Sequence, residues 1–212
     1  MISTLPSIFC GLTHTVGIRY ICSTSIGSTN GSTATSSAVN TLGAGLIVLS
    51  SSGYTTGGPT VSDSLSNTWI GLTVNASTNQ SNKIYYCINP KVGASHTFSV
   101  ASSFPSLSMV GFAGIFSLDQ QSGSNSATSS ITSGPITPTQ TNELIIAGIG
   151  SNQQSLSSIG STFVLVSQVA GVDSVCQGSS IAYLIQTSLK PISAVWTNSG
   201  ASQLAATIAS FK

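Results

Sequence analysis

At 212 residues the chain carries 5 Lys and Arg against 4 Asp and Glu, a charged fraction of 4 % and a net charge of +1. Ordinary soluble domains are about 25 % charged, so the surface here must be built from Ser, Thr, Asn, Gln and Gly, which excludes the basic patch that nucleic-acid binding requires. The apolar runs, VGFAGIF from Val110 and LIIAGIG from Leu144 among them, fall far short of the ~20 residues of a spanning helix, so no helical membrane crossing is expected.

Residues 1–17, MISTLPSIFCGLTHTVG, lack the pattern of the rest and read as an N-terminal arm. Its apolar side chains Leu5, Ile8, Phe9 and Leu12 are candidates for docking into a partner, as arms become ordered when they are tied down. No basic residue precedes Arg19 and no long apolar core follows, so a secretory signal is not expected. Residues 18–212 read as one domain. Short runs rich in Val, Ile, Tyr, Phe and Thr, bounded by Gly, Pro, Asn and Ser, predict strands at 16–23, 38–40, 45–52, 68–74, 83–88, 95–101 and 107–116, then at 143–150, 163–169, 179–186, 193–197 and 204–211. With no helical crossovers between them, the expected class is all-β, two antiparallel sheets packed as a sandwich.

Alternation assigns faces within these strands. In KIYYCI, Ile84, Tyr86 and Ile88 share one face and Tyr85 and Cys87 the other, while Phe98 and Val100 point together. LIVL at 46–49 and ELIIAGI at 143–149 are apolar on both faces, which predicts strands covered on two sides. TVSDSLSNTWIGL at 60–72 reads as a hairpin in which Asp63, Ser64, Ser66 and Asn67 turn the backbone. The Ser-rich stretch from Leu118 to Asn142 reads as a surface loop, with a short edge strand in TSGPITPT.

Chemistry has few groups to work with. The acidic residues are Asp63, Asp119, Glu143 and Asp173, and the histidines are His14 and His96. None falls into a pattern for paired-carboxylate or Ser-His-Asp catalysis, so no catalytic residue is assigned and the expectation is a protein that is not an enzyme. Cys10, Cys22, Cys87 and Cys176 form no C-x-x-C pair, so neither a zinc site nor any cofactor is expected, and Cys22, Cys87 and Cys176 read as buried free thiols. Trp69 and Trp196 read as core or half-buried residues; Tyr54, among small polar neighbours in SSGYTTGG, is the candidate ligand-facing aromatic.

The series NTLGAGLIVLSSS, TVSDSLSNTW, IYYCINPKVGASHTFSV, SMVGFAGI, TNELIIAGIG, SSIAYLIQT and SAVWTNSGASQLAATIASFK resembles a β-sandwich family found in tailed-phage virion proteins and in bacterial surface or secreted proteins. The likeness runs from about Tyr20 to Lys212. It implies a jelly-roll-like or lectin-like fold and a structural or binding role, with no family active site. The expected function is that of a non-enzymatic structural protein of a phage virion, a capsid decoration (cement) protein or a tail or fibre component, assembled in the host cytoplasm. Its partners would be other virion proteins and further copies of itself in a homo-oligomer. The alternatives are a carbohydrate-binding or adhesive module at a cell surface or outside the cell, facing a host glycan through Tyr54, and a bacterial filament subunit.

Overall fold

The structure, a computed structural model, describes residues 17–212. The expectations for Leu5, Ile8, Phe9 and Leu12, and those for Cys10 and His14, therefore lie outside the described residues. The described chain is all-β, without helices. Its strands are β1 (Arg19–Gly27), β2 (Thr33–Thr35), β3 (Leu46–Gly53), β4 (Thr60–Asp63), β5 (Ile70–Gly71), β6 (Asn75–Ser77), β7 (Gln80–Ile88), β8 (Phe98–Ala101) and β9 (Ser106–Ala113). They continue as β10 (Leu118–Ser126), β11 (Ser130–Ile136), β12 (Glu143–Ser151), β13 (Ser158–Ile159), β14 (Val164–Val169), β15 (Gly178–Gln186), β16 (Ile192–Thr197) and β17 (Leu204–Phe211).

Two large antiparallel sheets form the centre. One runs β1-β9-β3-β7-β5 with β6 also on β7; the other runs β10-β17-β12-β15-β14. Leu46, Val48, Ile84, Tyr86, Val110 and Phe112 of the first meet Leu144, Ile146, Ile181, Ala209 and Phe211 of the second in one buried cluster. Each outer face is then covered in turn. The small sheet β2-β8-β4 lays Ala34, Phe98 and Val100 over Ile47, Leu49, Leu107 and Met109. The small sheet β11-β16-β13 lays Ile131, Ile136, Ala194 and Trp196 over Ile145, Ala147, Ile149 and Ile208. These four layers explain the strands that are apolar on both faces: Leu46 and Val48 look inward while Ile47 and Leu49 look at the cover sheet. Each such side chain contributes on the order of 1.5–3 kcal/mol by leaving water.

The face assignments for 83–88 and for Phe98 with Val100 hold. Two expectations need correction. Strands β4 and β5 are not a hairpin, because β4 pairs with β8 in a cover sheet and β5 with β7 in a central one. The Ser-rich stretch after Leu118 is two strands and not mainly a loop: β10 pairs along β17, and the edge strand expected in TSGPITPT is part of β11, which pairs with β16 and shifts register between Ser133 and Ile136 around Gly134-Pro135. Its polar side chains belong to the exposed face and edge of a sheet, where backbone pairing needs no apolar alternation. The run at 38–40 is reduced to a single bridge between Val39 and His96.

The interior changes character along the strands. At one end of the sandwich it is Leu, Ile, Val, Phe and Tyr; at the other it is Ser50, Ser52, Gln80, Asn82, Ser108, Ser179 and Thr207, all buried. There the amide of Gln80 donates to Ser52 Oγ at 2.6 Å and that of Asn82 to Ser50 Oγ at 2.9 Å. Ser108 and Ser179 hydroxyls cross between the sheets to the carbonyls of Ser179 and Ser50. Glycine permits this approach: a Cβ on Gly150 would lie 2.4 Å from Gln80 Nε2 and 2.6 Å from the Ser81 carbonyl.

The edges β1 and β14 are bound to each other by side chains. Ser23 Oγ donates to the Val166 carbonyl at 3.0 Å and Ser25 Oγ to the Gln168 carbonyl at 2.8 Å. Two serines spaced by two residues thus occupy two carbonyls of the facing edge, removing them as a template for another strand.

Candidate functional site

Asp63 ends β4 and gathers most of the unusual side chains. Its Oδ1 accepts the Leu65 N–H at 2.8 Å and His96 Nε2 at 3.0 Å, and its Oδ2 accepts Trp69 Nε1 at 2.7 Å and the Asn67 N–H at 3.1 Å. Asp63 and His96 side chains are both fully buried. Burial alone would push the Asp63 carboxyl up, but the donors from His96, Leu65, Trp69 and Asn67 outweigh it and hold the group below the ordinary aspartate range. On the far side of the ring, His96 Nδ1 lies 3.0 Å from Thr41 Oγ1, whose oxygen also accepts the Gly93 N–H at 3.1 Å.

Thr41, His96 and Asp63 thus form a hydroxyl–imidazole–carboxylate row that spacing along the chain could not reveal. Its order is that of a nucleophile row, but its setting is unsuited to nucleophilic attack. The hydroxyl is sealed at 0 % exposure and already engaged with the Gly93 loop, so no substrate reaches it. The row is a tie between layers: β4 belongs to the cover sheet, Trp69 leads into β5 of the central sheet, and Asn67 pairs with Lys91 through its amide (2.7 Å to the Lys91 N–H and 3.1 Å to its carbonyl). Asp63 is therefore the turn residue that the sequence suggested, with His96 packed on Phe98 as its buried partner. Trp69 is half-buried and Trp196 fully buried, its indole N–H without a hydrogen-bond partner among the described residues.

Asp119 and Glu143 are brought together although they stand far apart in sequence: both accept the Thr139 N–H, at 3.1 and 2.9 Å. Lys212 Nζ lies 2.7 Å from Asp119 Oδ1, and it supplies the cation such a pair attracts. Burial pushes the Asp119 carboxyl up, and the bonds from Lys212 and Thr139 more than reverse this. Cys87 and Cys176 are buried free thiols as expected, whereas Cys22 is free but only half-buried; burial raises the pKa of all three, and no cluster of three metal-ligating side chains occurs among the described residues.

Two concavities lie at opposite ends of the strands. Where β1 begins and β15 and β17 end, a groove of about 460 Å³ is lined by Gly17, Ile18, Ile115, Ile185 and Lys212 with the 140–142 loop. Ile115 is 86 % exposed there, and Tyr20, two residues on from Ile18, stacks on Tyr183. Where β3 and β12 end and β9 and β15 begin, a cleft of about 290 Å³ is bordered by Tyr54, Phe104, Asn152, Gln153 and the Val172–Gln177 turn. Tyr54, the ligand-facing candidate, is 43 % exposed at this cleft.

No family model, curated protein or solved structure matches this chain. The likeness seen in the sequence rests on its motifs, and the geometry accounts for the most specific of them: DSLSNTW is the Asp63 tie with its indole and amide donors. In TNELIIAGIG, Glu143 closes the turn before β12 by accepting the Thr139 and Gln140 N–H groups. Both are architectural. Nothing in the local sequence around Ile115 or Asp173 announces the two end surfaces.

Proposed function

We propose that this chain is a non-enzymatic structural protein of a virion, a capsid decoration protein or a tail or fibre component, that assembles through protein contacts with its own copies and other virion proteins. The observation that carries this reading is the groove around Ile115. A large aliphatic side chain at 86 % exposure, continued by Ile18 and Ile185 and flanked by the Tyr20–Tyr183 pair, is an apolar strip without a partner among the described residues. Gly17, the first described residue, lines the same groove. The occupant we assign is the N-terminal segment of a neighbouring copy, bringing Leu5, Ile8, Phe9 and Leu12. Burial of each such side chain is worth on the order of 1.5–3 kcal/mol. A surface with 4 % charged residues adds little repulsion between copies, which favours close assembly. Strand addition at β1 and β14 is disfavoured by the Ser23 and Ser25 bonds across those edges.

The test is native mass by light scattering for the full chain, a version lacking residues 1–17, and Ile115→Ser. A defined oligomer for the full chain, with folded monomers for the other two, supports the reading. Monomers in all three cases, with no attachment to phage particles, refute it.

A further inference from the structure

The cleft at the other end carries features that docking does not use. Tyr54 is partly exposed at the cleft, its ring forming a T-shaped pair with Phe104 at 5.8 Å between centroids. Asp173 spends one oxygen on Gln154 Nε2 at 2.9 Å; the other has no hydrogen-bond partner among the described residues. Gln177 borders the cleft, is nine-tenths buried, and has a carboxamide oxygen without a hydrogen bond among the described residues. A buried acceptor of this kind costs stability unless something completes it.

The backbone around the cleft is strained and pinned. Phe104 has φ of 51° and Ser174 of 56°, the left-handed region that bulky side chains avoid. Phe104 is fixed there by its N–H donating to the Gly31 carbonyl at 2.8 Å, while its own carbonyl accepts the Gln177 N–H at 2.8 Å. One contact therefore sets both the ring that supports Tyr54 and the residue whose amide is left open. Strain of this sort persists where surrounding structure over-determines it, and binding sites are a common setting.

We propose that this cleft is a binding site for a neutral saccharide, a sugar ring resting its C–H face on Tyr54 while its hydroxyls donate to Asp173 and pair with the Gln153 and Gln177 amides. The chemistry of the lining selects this class. No Lys, Arg or His borders the cleft, so anionic ligands find no counter-charge, and one exposed carboxylate is too little for a tightly held metal. An aromatic face with carboxylate and carboxamides offers apolar contact plus in-plane donors and acceptors, the requirement of a polyhydroxylated ring. A volume of about 290 Å³ is at the small end of ligand sites and suits one ring with its neighbours outside. The proposal does not depend on the docking reading, yet the two fit: one end attaches and the opposite end presents the cleft.

The experiment is retention of the full chain on an array of neutral hexose-, deoxyhexose- and N-acetylhexosamine-terminated glycans, with sialylated glycans and immobilised choline as charged probes. Saturation-transfer NMR with the corresponding free monosaccharides at millimolar concentration accompanies it. Expected is retention on a neutral class, weakened at least about tenfold by Tyr54→Ala and by Asp173→Asn and kept by Tyr54→Phe, with saturation transfer to the free monosaccharide unchanged by Ile115→Ser. Melting curves matching the parent chain establish that the cleft variants fold. Absence of retention and of saturation transfer, equal retention by Tyr54→Ala, or preference for choline or sialylated glycans overturns the proposal. Native mass separates the two readings, since the cleft variants leave any oligomer intact.

Discussion

Replacing Asp63 tests whether the tie between layers is the structural centre it is argued to be. In Asp63→Ala the Trp69 and His96 ring donors and the Leu65 and Asn67 N–H groups lose a fully buried carboxylate. Bonds to a charged acceptor are worth about 1.5–3 kcal/mol each and do not add when they share one group. A net loss of about 3–5 kcal/mol, as for breaking a buried pair, is expected, and it lowers the melting temperature by about 6–20 °C at this chain length. Asp63→Asn rescues little. Whichever way the amide turns, its NH2 meets a donor, the Leu65 N–H on one side or the Trp69 indole on the other. The carboxyl is held below its unfolded value of about 3.9, so its contribution is complete above that pH and disappears as pH falls through the lower folded value. Urea unfolding followed by tryptophan emission at pH 7 and at pH 3 measures both effects. Asp119 titrates in the same direction, so the quantity to read is the difference between parent and variant, which narrows in acid. A cost below about 1 kcal/mol at pH 7, or a difference independent of pH, would refute the assignment.

Gly150→Ala forces a Cβ to 2.4–2.6 Å from Gln80, Ser52 and the Ser81 carbonyl and should destabilise by about 1–3 kcal/mol or more. Gly57→Ala, with nothing within 4 Å, should be neutral or slightly stabilising; urea midpoints compare the two. In Trp69→Phe the remaining Trp196, at 0 % exposure, should emit at short wavelength and resist acrylamide quenching, and strong quenching would contradict its place under the β11-β16-β13 sheet. Ser23→Ala with Ser25→Ala should cost about 0.5–1.5 kcal/mol per bond and increase concentration-dependent association through the freed edges. Unchanged stability and unchanged mass would show that the seam is incidental.

The class of fold was legible because burial repeats with period two in 83–88 and 98–100, and because 46–49 and 143–149 are apolar on both faces. The extra layers were not legible as such. A cover sheet such as β2-β8-β4 is made of runs of three or four residues, too short for alternation to register, and β10 is LDQQSGSNS, whose pairing uses backbone alone. Asp63 could be read as a turn residue because Asx side chains bond the backbone just ahead of them. Its bond to His96 could not, since it spans 33 residues and depends on which sheet β8 joins. The cleft shows the same limit more sharply: Tyr54 was visible as an aromatic among small polar residues, whereas Asp173 and Gln177 reach it only because β15 runs beside β12.

The gradient inside the sandwich bears on how the two ends can differ in behaviour. At the groove end the sheets are held by Phe112, Phe211, Leu144 and Tyr86, whose attraction is non-directional and tolerant of small shifts. At the cleft end directional bonds from Ser108 and Ser179 cross between the sheets, those of Gln80 and Asn82 stay within one sheet, and the amide oxygens of Gln80 and Asn82 have no partner among the described residues. Less apolar area is buried there, so local opening should cost less at the cleft end than at the groove end. A ligand that completes the Gln177 amide and bridges Tyr54 to Asp173 would join the loops after β3 and before β15, one from each central sheet. Binding at that end therefore has an elastic consequence that packing at the other end does not: it closes the two sheets where their own interior holds them least.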